Sequence, residues 1–334
     1  MSMESSQIDI VITWVDGADE SWRASRARYQ YEATGVAEES RFRDEGTLKY
    51  VFRSLEAYAP WVRKIHFVTC GQKPEWLNTA HPKLNLVDHA DYIPAEYLPT
   101  FSSHTIELNF HRIRDLAEQF IYFNDDTLLT APVQPEDFFQ NGLPCDSAVL
   151  TPVVGSIPGD PFAHYLLNNA ALINGHFRMR RVLRQKPGNW FNLKYGTYNL
   201  RNLVFSAGTG WFVGFKNFHM PSAQLKSTFQ KVWELEPGLL DKTCRNKFRG
   251  LNDISPYVMS QYNFCTNRFV PRSPKFGCYL DLSQGPEPIR RALHGRYKYI
   301  TINDSDNLVD FQASQRQLIQ LLEAKYPQKS AFEI

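Results

Sequence analysis

Phe120-Ile121-Tyr122-Phe123-Asn124-Asp125-Asp126 is an apolar run that stops abruptly on two adjacent carboxylates. Residues 119–123 are β-branched and aromatic and too few for a helix, so they read as a short buried strand. The acids stand at its carboxyl end, and in open α/β sheets ligands bind in the crevice outside the carboxyl ends of strands. Adjacent like charges repel unless a cation lies between or beside them. A divalent metal carrying a phosphate resolves that repulsion. The structural alternative is an Asx-rich turn that leaves the strand.

Upstream, Ile8-Asp9-Ile10-Val11-Ile12-Thr13-Trp14-Val15 is a β-prone run that delivers Asp16 to a glycine turn. Residues 20–33 have the spacing of a surface helix. A second helix is expected over 45–58, with Leu48, Val51, Phe52 and Leu55 on one face and Pro60 stopping it. Strands are expected at Lys64–Thr69 and Leu84–Asp88, with a helix opening at Ser103 and running past His111 towards the acidic strand. This is the βαβα rhythm of a doubly wound parallel sheet. Downstream of Pro132 the alternation fades into long helices (163–185, 222–234, 255–265) and one strand near 211–215. Sheet character returns at Arg296–Ile302, which ends on Asn303-Asp304, and a last helix spans 308–326.

The domain expectation is therefore three parts: 1–131 as a ligand-binding α/β half, 132–280 as a helical, loop-rich insertion or lobe, and 281–334 returning to the core. With 334 residues and 43% apolar content the chain can bury a sizeable core. A net charge of +2 gives no sign of a nucleic-acid binder, while local basic clusters could still meet anionic substrates or a membrane face. The polar N-terminus and the lack of any apolar run near the roughly 18 residues of a membrane span predict a cytoplasmic protein. Five scattered cysteines, none in a CxxC pair, suggest neither a disulfide framework nor a zinc site.

Asp16, Asn124-Asp125-Asp126 and Asn303-Asp304 all end strands, and parallel strands would bring them to one edge. Oxygen ligands without a Cys or His cluster point to Mg²⁺ or Mn²⁺. Arg41, Arg43 and Arg249 are candidates for gripping phosphate oxygens, with solvated surface arginines as the alternative. His219, between a strand and Pro221, and His104, at a helix start, are weighed against structural roles; Trp14 is core unless it lines the crevice. The absence of GxGxxG after the first strand, of a P-loop and of a GxSxG elbow argues against a dinucleotide oxidoreductase, a P-loop kinase and an α/β-hydrolase. The residues alone thus indicate a metal-dependent α/β enzyme for a phosphorylated or nucleotide-linked substrate.

Four ordered blocks carry a resemblance. The first is Ile8 to Gly17. The second runs from Arg41-Phe42-Arg43-Asp44 through Ser102-Ser103-His104-Thr105-Ile106-Glu107 to Asp126. The third is His219-Met220-Pro221 through Lys247-Phe248-Arg249, and the fourth is Ile302-Asn303-Asp304. They resemble the Stealth family of capsular sugar-1-phosphate transferases, to which the animal N-acetylglucosamine-1-phosphotransferase is related.

The resemblance implies a GT-A-like, Rossmann-related fold with a mainly parallel sheet flanked by helices. It implies transfer of a hexose-1-phosphate, with an N-acetylhexosamine as the leading expectation, from a UDP-sugar to a hydroxyl of an oligo- or polysaccharide acceptor. A phosphodiester of capsule or exopolysaccharide forms and UMP leaves. Under it, Asp125, Asp126, Asn303 and Asp304 would hold Mg²⁺ or Mn²⁺, and Arg249 would neutralise charge on the phosphoryl. His219 would be the base, with Asp16 its rival, and Trp14, Asp16, Arg43, His104 and Glu107 would bind the donor. Few residues flank the blocks, which suggests a near-minimal catalytic unit. A basic surface such as 178–184 suggests peripheral contact with the inner membrane or with a capsule-synthesis complex. The alternatives are a conventional metal-dependent GT-A glycosyltransferase that releases UDP and a glycan- or nucleotide-binding module without turnover.

Overall fold

The computed structural model describes residues 7–30, 46–157, 160–208, 210–304, 308 and 310–334. The chain opens with β1 (Ile8–Thr13), α1 (Glu20–Gln30), α2 (Leu48–Tyr58), β2 (Ile65–Thr69) and β3 (Leu84–Asp88). The short helix α3 (Ser103–Leu108) then leads through a 3-10 turn into β4 (Gln119–Asn124). After the acidic motif come β5 (Thr127–Leu129), β6 (Phe139–Gln140) and β7 (Leu143–Asp146). Helices α4 (Pro161–His176), α5 (Met179–Gln185), α6 (Pro187–Trp190) and α7 (Tyr198–Ala207) follow. Then come β8 (Ser222–Leu225), α8 (Lys226–Leu235), α9 (Pro237–Arg245), α10 (Val258–Cys265) and β9 (Val270–Pro271). The last described elements are β10 (Gly277–Asp281), α11 (Pro286–Leu293), β11 (Tyr299–Asn303) and α12 (Phe311–Lys325).

The central sheet has the order β3-β2-β1-β4-β8, parallel from β3 to β4 and closed by an antiparallel β8. Alternation along the strands sends side chains to two cores. Ile8, Ile10 and Ile12 of β1, with Ile121 and Phe123 of β4, pack against α2, β11 and α12. Val11, Val68 and Phe120 point the other way, onto Leu108, Phe110, and Phe229 and Val232 of α8. Each such buried side chain contributes about 2 kcal/mol, so both faces hold the sheet rigid behind its carboxyl edge. The mainly parallel, helix-flanked sheet expected from the sequence is present.

One polar residue sits in this apolar strand. Asp9 is fully buried and accepts from Arg63 at 2.8 and 2.5 Å and from the Ala117 amide at 2.8 Å, with His66 Nε2 at 3.0 Å. Burial pushes its carboxyl up, but the hydrogen bonds from His66, Arg63 and Ala117 outweigh that and hold it below the ordinary range.

The C-terminal strand departs from the sequence reading. β11 lies not on the parallel edge but in a second sheet of order β10-β11-β5, where it runs antiparallel to β5 with Thr301 opposite Thr127. At three residues β5 is too short to show a period. The helix expected over 163–185 breaks at Phe177, which is extended. The strand expected at 211–215 is reduced to an isolated bridge between Phe215 and Leu150, with the Gly214 and Val213 carbonyls accepting from the Thr151 and Val153 amides, and Gly214 has φ +135° against the Thr151 carbonyl. The helix expected from 222 starts instead with β8, recruited by the free side of β4. The helix opened at Ser103 ends at Leu108. Among the described residues no helix is long and apolar enough to cross a membrane.

Candidate active site

Parallel pairing of β1 with β4 sets Thr13 beside Asn124, so the chain leaves both strands at one edge of the sheet. Behind that edge Thr47, just before α2, donates its hydroxyl to the Asp125 carbonyl at 2.8 Å, which fixes the turn. The second sheet meets the motif from the other side. The Ile302 amide donates to the Asp126 carbonyl at 3.0 Å, and the Thr127 and Thr301 hydroxyls are 3.0 Å apart, which brings Asn303 and Asp304 alongside.

A cavity of about 1000 Å³ opens there. Trp14, His104, Glu107, Asp125, Asp126, His219, Arg249, Asn303 and Asp304 all line it, so nine residues singled out from sequence converge. Asp16 lies instead on an adjoining chamber of about 570 Å³, which shares Trp14 and Trp22 with the larger one. There Asp16 and Gln72 are clamped together: the Asp16 amide donates to Gln72 Oε1 at 2.9 Å and Gln72 Nε2 donates to the Asp16 carbonyl at 3.0 Å. Trp14 stacks on Phe67 with ring centres 5.9 Å apart, so it is both core and cavity wall. Arg41 and Arg43 lie outside the described residues.

His219 occupies a left-handed backbone position, φ +49°, unusual for a residue with a Cβ. Its amide donates to Asn217 Oδ1 at 2.8 Å and its carbonyl accepts from the Thr301 hydroxyl at 3.2 Å. The ring is held edge-on to Tyr279, with Nδ1 3.4 Å from the Tyr257 hydroxyl and Nε2 3.5 Å from Asn124 Nδ2. Strain at a cavity-lining histidine, gripped on three sides, fits a positioned functional group.

Two carboxyls in the wall are displaced upwards. Burial raises Asp126 above its ordinary value, partly countered by the charge of His219 and the Thr127 hydroxyl. Burial pushes Glu107 up to about 7, against the pull of the Arg249 charge and hydrogen bonds from Ser103 and Tyr122. Arg249 Nη2 itself donates to the Ser103 hydroxyl at 2.5 Å. Among the described residues no group of three or more His, Cys, Asp and Glu side chains converges as a ready-made metal cage.

Several residues of the site carried no sequence signal. Asp253 is fully buried and ties the Arg249 loop together: it accepts from the Gly250 amide at 2.8 Å and Asn246 Nδ2 at 2.6 Å, with His104 Nδ1 at 3.4 Å. Tyr257, Tyr279 and Tyr122 line the cavity from three distant segments, and a tyrosine among apolar residues reads as core in any one of them. Only the Gly-Leu-Asn-Asp turn after Arg249 could have drawn attention to Asp253.

Comparison with known proteins matches residues 6–30 to Stealth protein conserved region 1 and residues 41–145 to Stealth protein conserved region 2. A capsular polysaccharide phosphotransferase WcwK of Streptococcus pneumoniae is 39% identical, over 98% of this chain and 99% of that one. The receptor polysaccharide phosphotransferase WefC of Streptococcus gordonii is 37% identical, over 98% and 99% of the two chains. The exopolysaccharide phosphotransferase cps2G of Lactiplantibacillus plantarum is 38% identical, over 98% and 96%. Among solved structures, the galactosyltransferase LgtC in complex with donor and acceptor sugar analogs aligns over 95% of each chain at 12% identity, with a TM-score of 0.40.

Proposed function

The chain belongs to the Stealth family of polysaccharide phosphotransferases, transferases of capsule and exopolysaccharide synthesis, and from that premise we propose a specific reaction. It moves a hexose-1-phosphate, with N-acetylhexosamine as the leading sugar, from a UDP-sugar to a hydroxyl of an acceptor glycan. The observation that carries this reading is the convergence, in one cavity, of an oxygen-rich acidic edge with His219 and Arg249.

The acceptor oxygen attacks the β-phosphorus of the donor. A new phosphorus–oxygen bond forms, the bond from that phosphorus to the bridging oxygen breaks, and UMP leaves with the bridging oxygen. The sugar's anomeric bond is untouched, so its configuration is kept. Such transfer depends on positioning and charge neutralisation more than on covalent chemistry. His219 takes the acceptor proton, since imidazole is suited to proton transfer near neutral pH. Arg249 faces the charge that builds on the transferred phosphoryl. The smaller chamber beside Trp14, with Asp16 and Gln72, takes the nucleoside, and His104 and Glu107 border the donor. Asp16 remains the rival base.

Asp125, Asp126, Asn303 and Asp304 fit a hard divalent cation: they offer oxygens only, and burial of Asp126 leaves its ionised form short of positive charge. Mg²⁺ takes one or two carboxylates and leaves its other positions to phosphate and water, so a ready-made cage is not required. When bound, Mg²⁺ or Mn²⁺ supplies charge against the donor diphosphate. The four residues would hold it there, and its charge would keep the acidic edge from repelling the substrate.

The test is incubation with a panel of UDP-sugars, Mg²⁺ and acceptor glycan, scoring the nucleotide released. UMP, with label from the donor β-phosphate retained in the product, is the expected result. UDP, with that label leaving, would make the enzyme a conventional glycosyltransferase instead. Binding of UDP-sugar without turnover under any condition would leave only a binding module.

A further inference from the structure

From Pro161 to Trp233 the chain has no Asp or Glu and ten Lys or Arg, although the whole protein carries only +2. Within this stretch α7 is built inside out. Asn202 is fully buried: its amide donates to the Ala148 and Trp190 carbonyls at 2.9 and 2.6 Å and accepts from the Leu150 amide at 2.7 Å. Leu200, Leu203 and Val204, spaced to share one helix face, are 66%, 58% and 56% exposed. Hydrogen bonds to Asn202 anchor the helix and leave its apolar stripe facing outward.

The surroundings extend the pattern. Leu193, in the turn before α7, is 97% exposed, and Trp211 just beyond it is half-exposed, with the Arg178 guanidinium 4.0 Å from its ring. Arg180 donates to the Gly208 carbonyl at the end of α7, Arg201 to the Thr151 hydroxyl and Lys194 to the Pro271 carbonyl. These acceptors are neutral, so the cations keep their charge. Arg181 and Arg184 are exposed on α5 beside them. α7 starts at Tyr198, which lines the large cavity and meets Phe218 edge-on, so the apolar face begins at the cavity wall.

We propose that this face docks on an anionic phospholipid bilayer, with the leucine stripe in the boundary between headgroups and acyl chains and the fringing cations against lipid phosphates. An apolar helix face bordered by Lys and Arg is the pattern of an interfacial helix, and each cation near an anionic surface strengthens the attachment. A second copy of this chain suits the face less well, because a two-fold contact sets Arg180 and Arg201 against cations of the same kind. The docking does not depend on the transfer chemistry proposed above.

The full chain is sedimented with vesicles of equal parts phosphatidylcholine and phosphatidylglycerol, and with phosphatidylcholine alone. Binding is expected to the anionic vesicles only and to weaken in high salt. Leu200→Ser with Leu203→Ser, and separately Arg180→Glu with Arg184→Glu, should each reduce the bound fraction about tenfold. All four side chains are exposed, so circular dichroism and melting should be unchanged; the charge pair decides alone if the serine pair melts early. No binding to anionic vesicles, equal binding to neutral ones, or binding unaffected by both pairs overturns the proposal. So does a wild-type dimer that both pairs convert to monomer, which would assign the face to self-association.

Discussion

The Ile302 amide donates to the Asp126 carbonyl at 3.0 Å, and this bond, continuing the antiparallel pairing of β11 with β5, sets Asn303-Asp304 beside Asp125-Asp126. The acidic edge is thus shared by two segments that lie far apart in the chain.

Asp126→Asn should lower kcat by about 100-fold or more and raise the Mg²⁺ concentration needed for half-maximal rate, as expected when a charged group facing the reacting phosphate is removed. Asp125→Asn should cost less, because burial raises the Asp126 carboxyl and makes its ionised form depend on a nearby cation. UMP release against Mg²⁺ concentration checks both, and the opposite ranking would make Asp125 the principal ligand.

His219 calls for a substitution that respects its backbone. Asn tolerates the left-handed region better than most residues with a Cβ, so His219→Asn removes the imidazole without much added strain. Activity should fall by about 10²- to 10⁴-fold with little change in melting temperature. Retained activity would hand the base to Asp16.

Glu107 titrates near 7 in the folded protein, above the roughly 4.3 of an unfolded glutamate, so the native state holds its proton more tightly. Its stabilising contribution is complete below the unfolded value and is lost as pH rises through about 7, at up to about 1.4 kcal/mol per pH unit. Urea titrations between about pH 5 and pH 7 should show that slope in the wild type and lose it in Glu107→Gln. Arg249→Met removes the charge that holds Glu107 down and should move its titration higher, measurable by carboxyl-carbon NMR.

Asp253→Ala leaves the half-buried Gly250 amide and Asn246 side chain without this partner and frees the loop that carries Arg249. A stability loss of about 3 kcal/mol is expected in urea unfolding. The Michaelis constant for the UDP-sugar should rise with it, since His104 loses the Asp253 contact as well.

Asp9→Asn should destabilise the protein by about 3 kcal/mol near neutrality, because Arg63 and His66 lose the carboxylate that pairs them. The folded carboxyl titrates below its unfolded value, so its contribution is full above about pH 4 and is lost as pH falls through the folded value. The gap between wild type and variant should therefore narrow only in acid, and not at alkaline pH.

The sequence by itself determined the parallel half of the sheet, the acidic edge and nine of the residues that line the cavity. Ile8 to Thr13 and Phe120 to Asn124 alternate or run apolar because both faces of their sheet are covered, and that burial leaves a mark on local composition. Tertiary structure alone decided the rest. β5 and β8 are strands because β11 and β4 offer them partners, and segments of three and four residues carry no period of their own. Asp253 serves Arg249 and His104 through contacts made only in the folded chain, and Tyr257, in the turn before α10, and Tyr279, in β10, reach the cavity from segments where they look like core. The exposed leucines of α7 show the same limit: nothing in the local sequence says which side of that helix is buried, and the hydrogen bonds of Asn202 turn the apolar face outward.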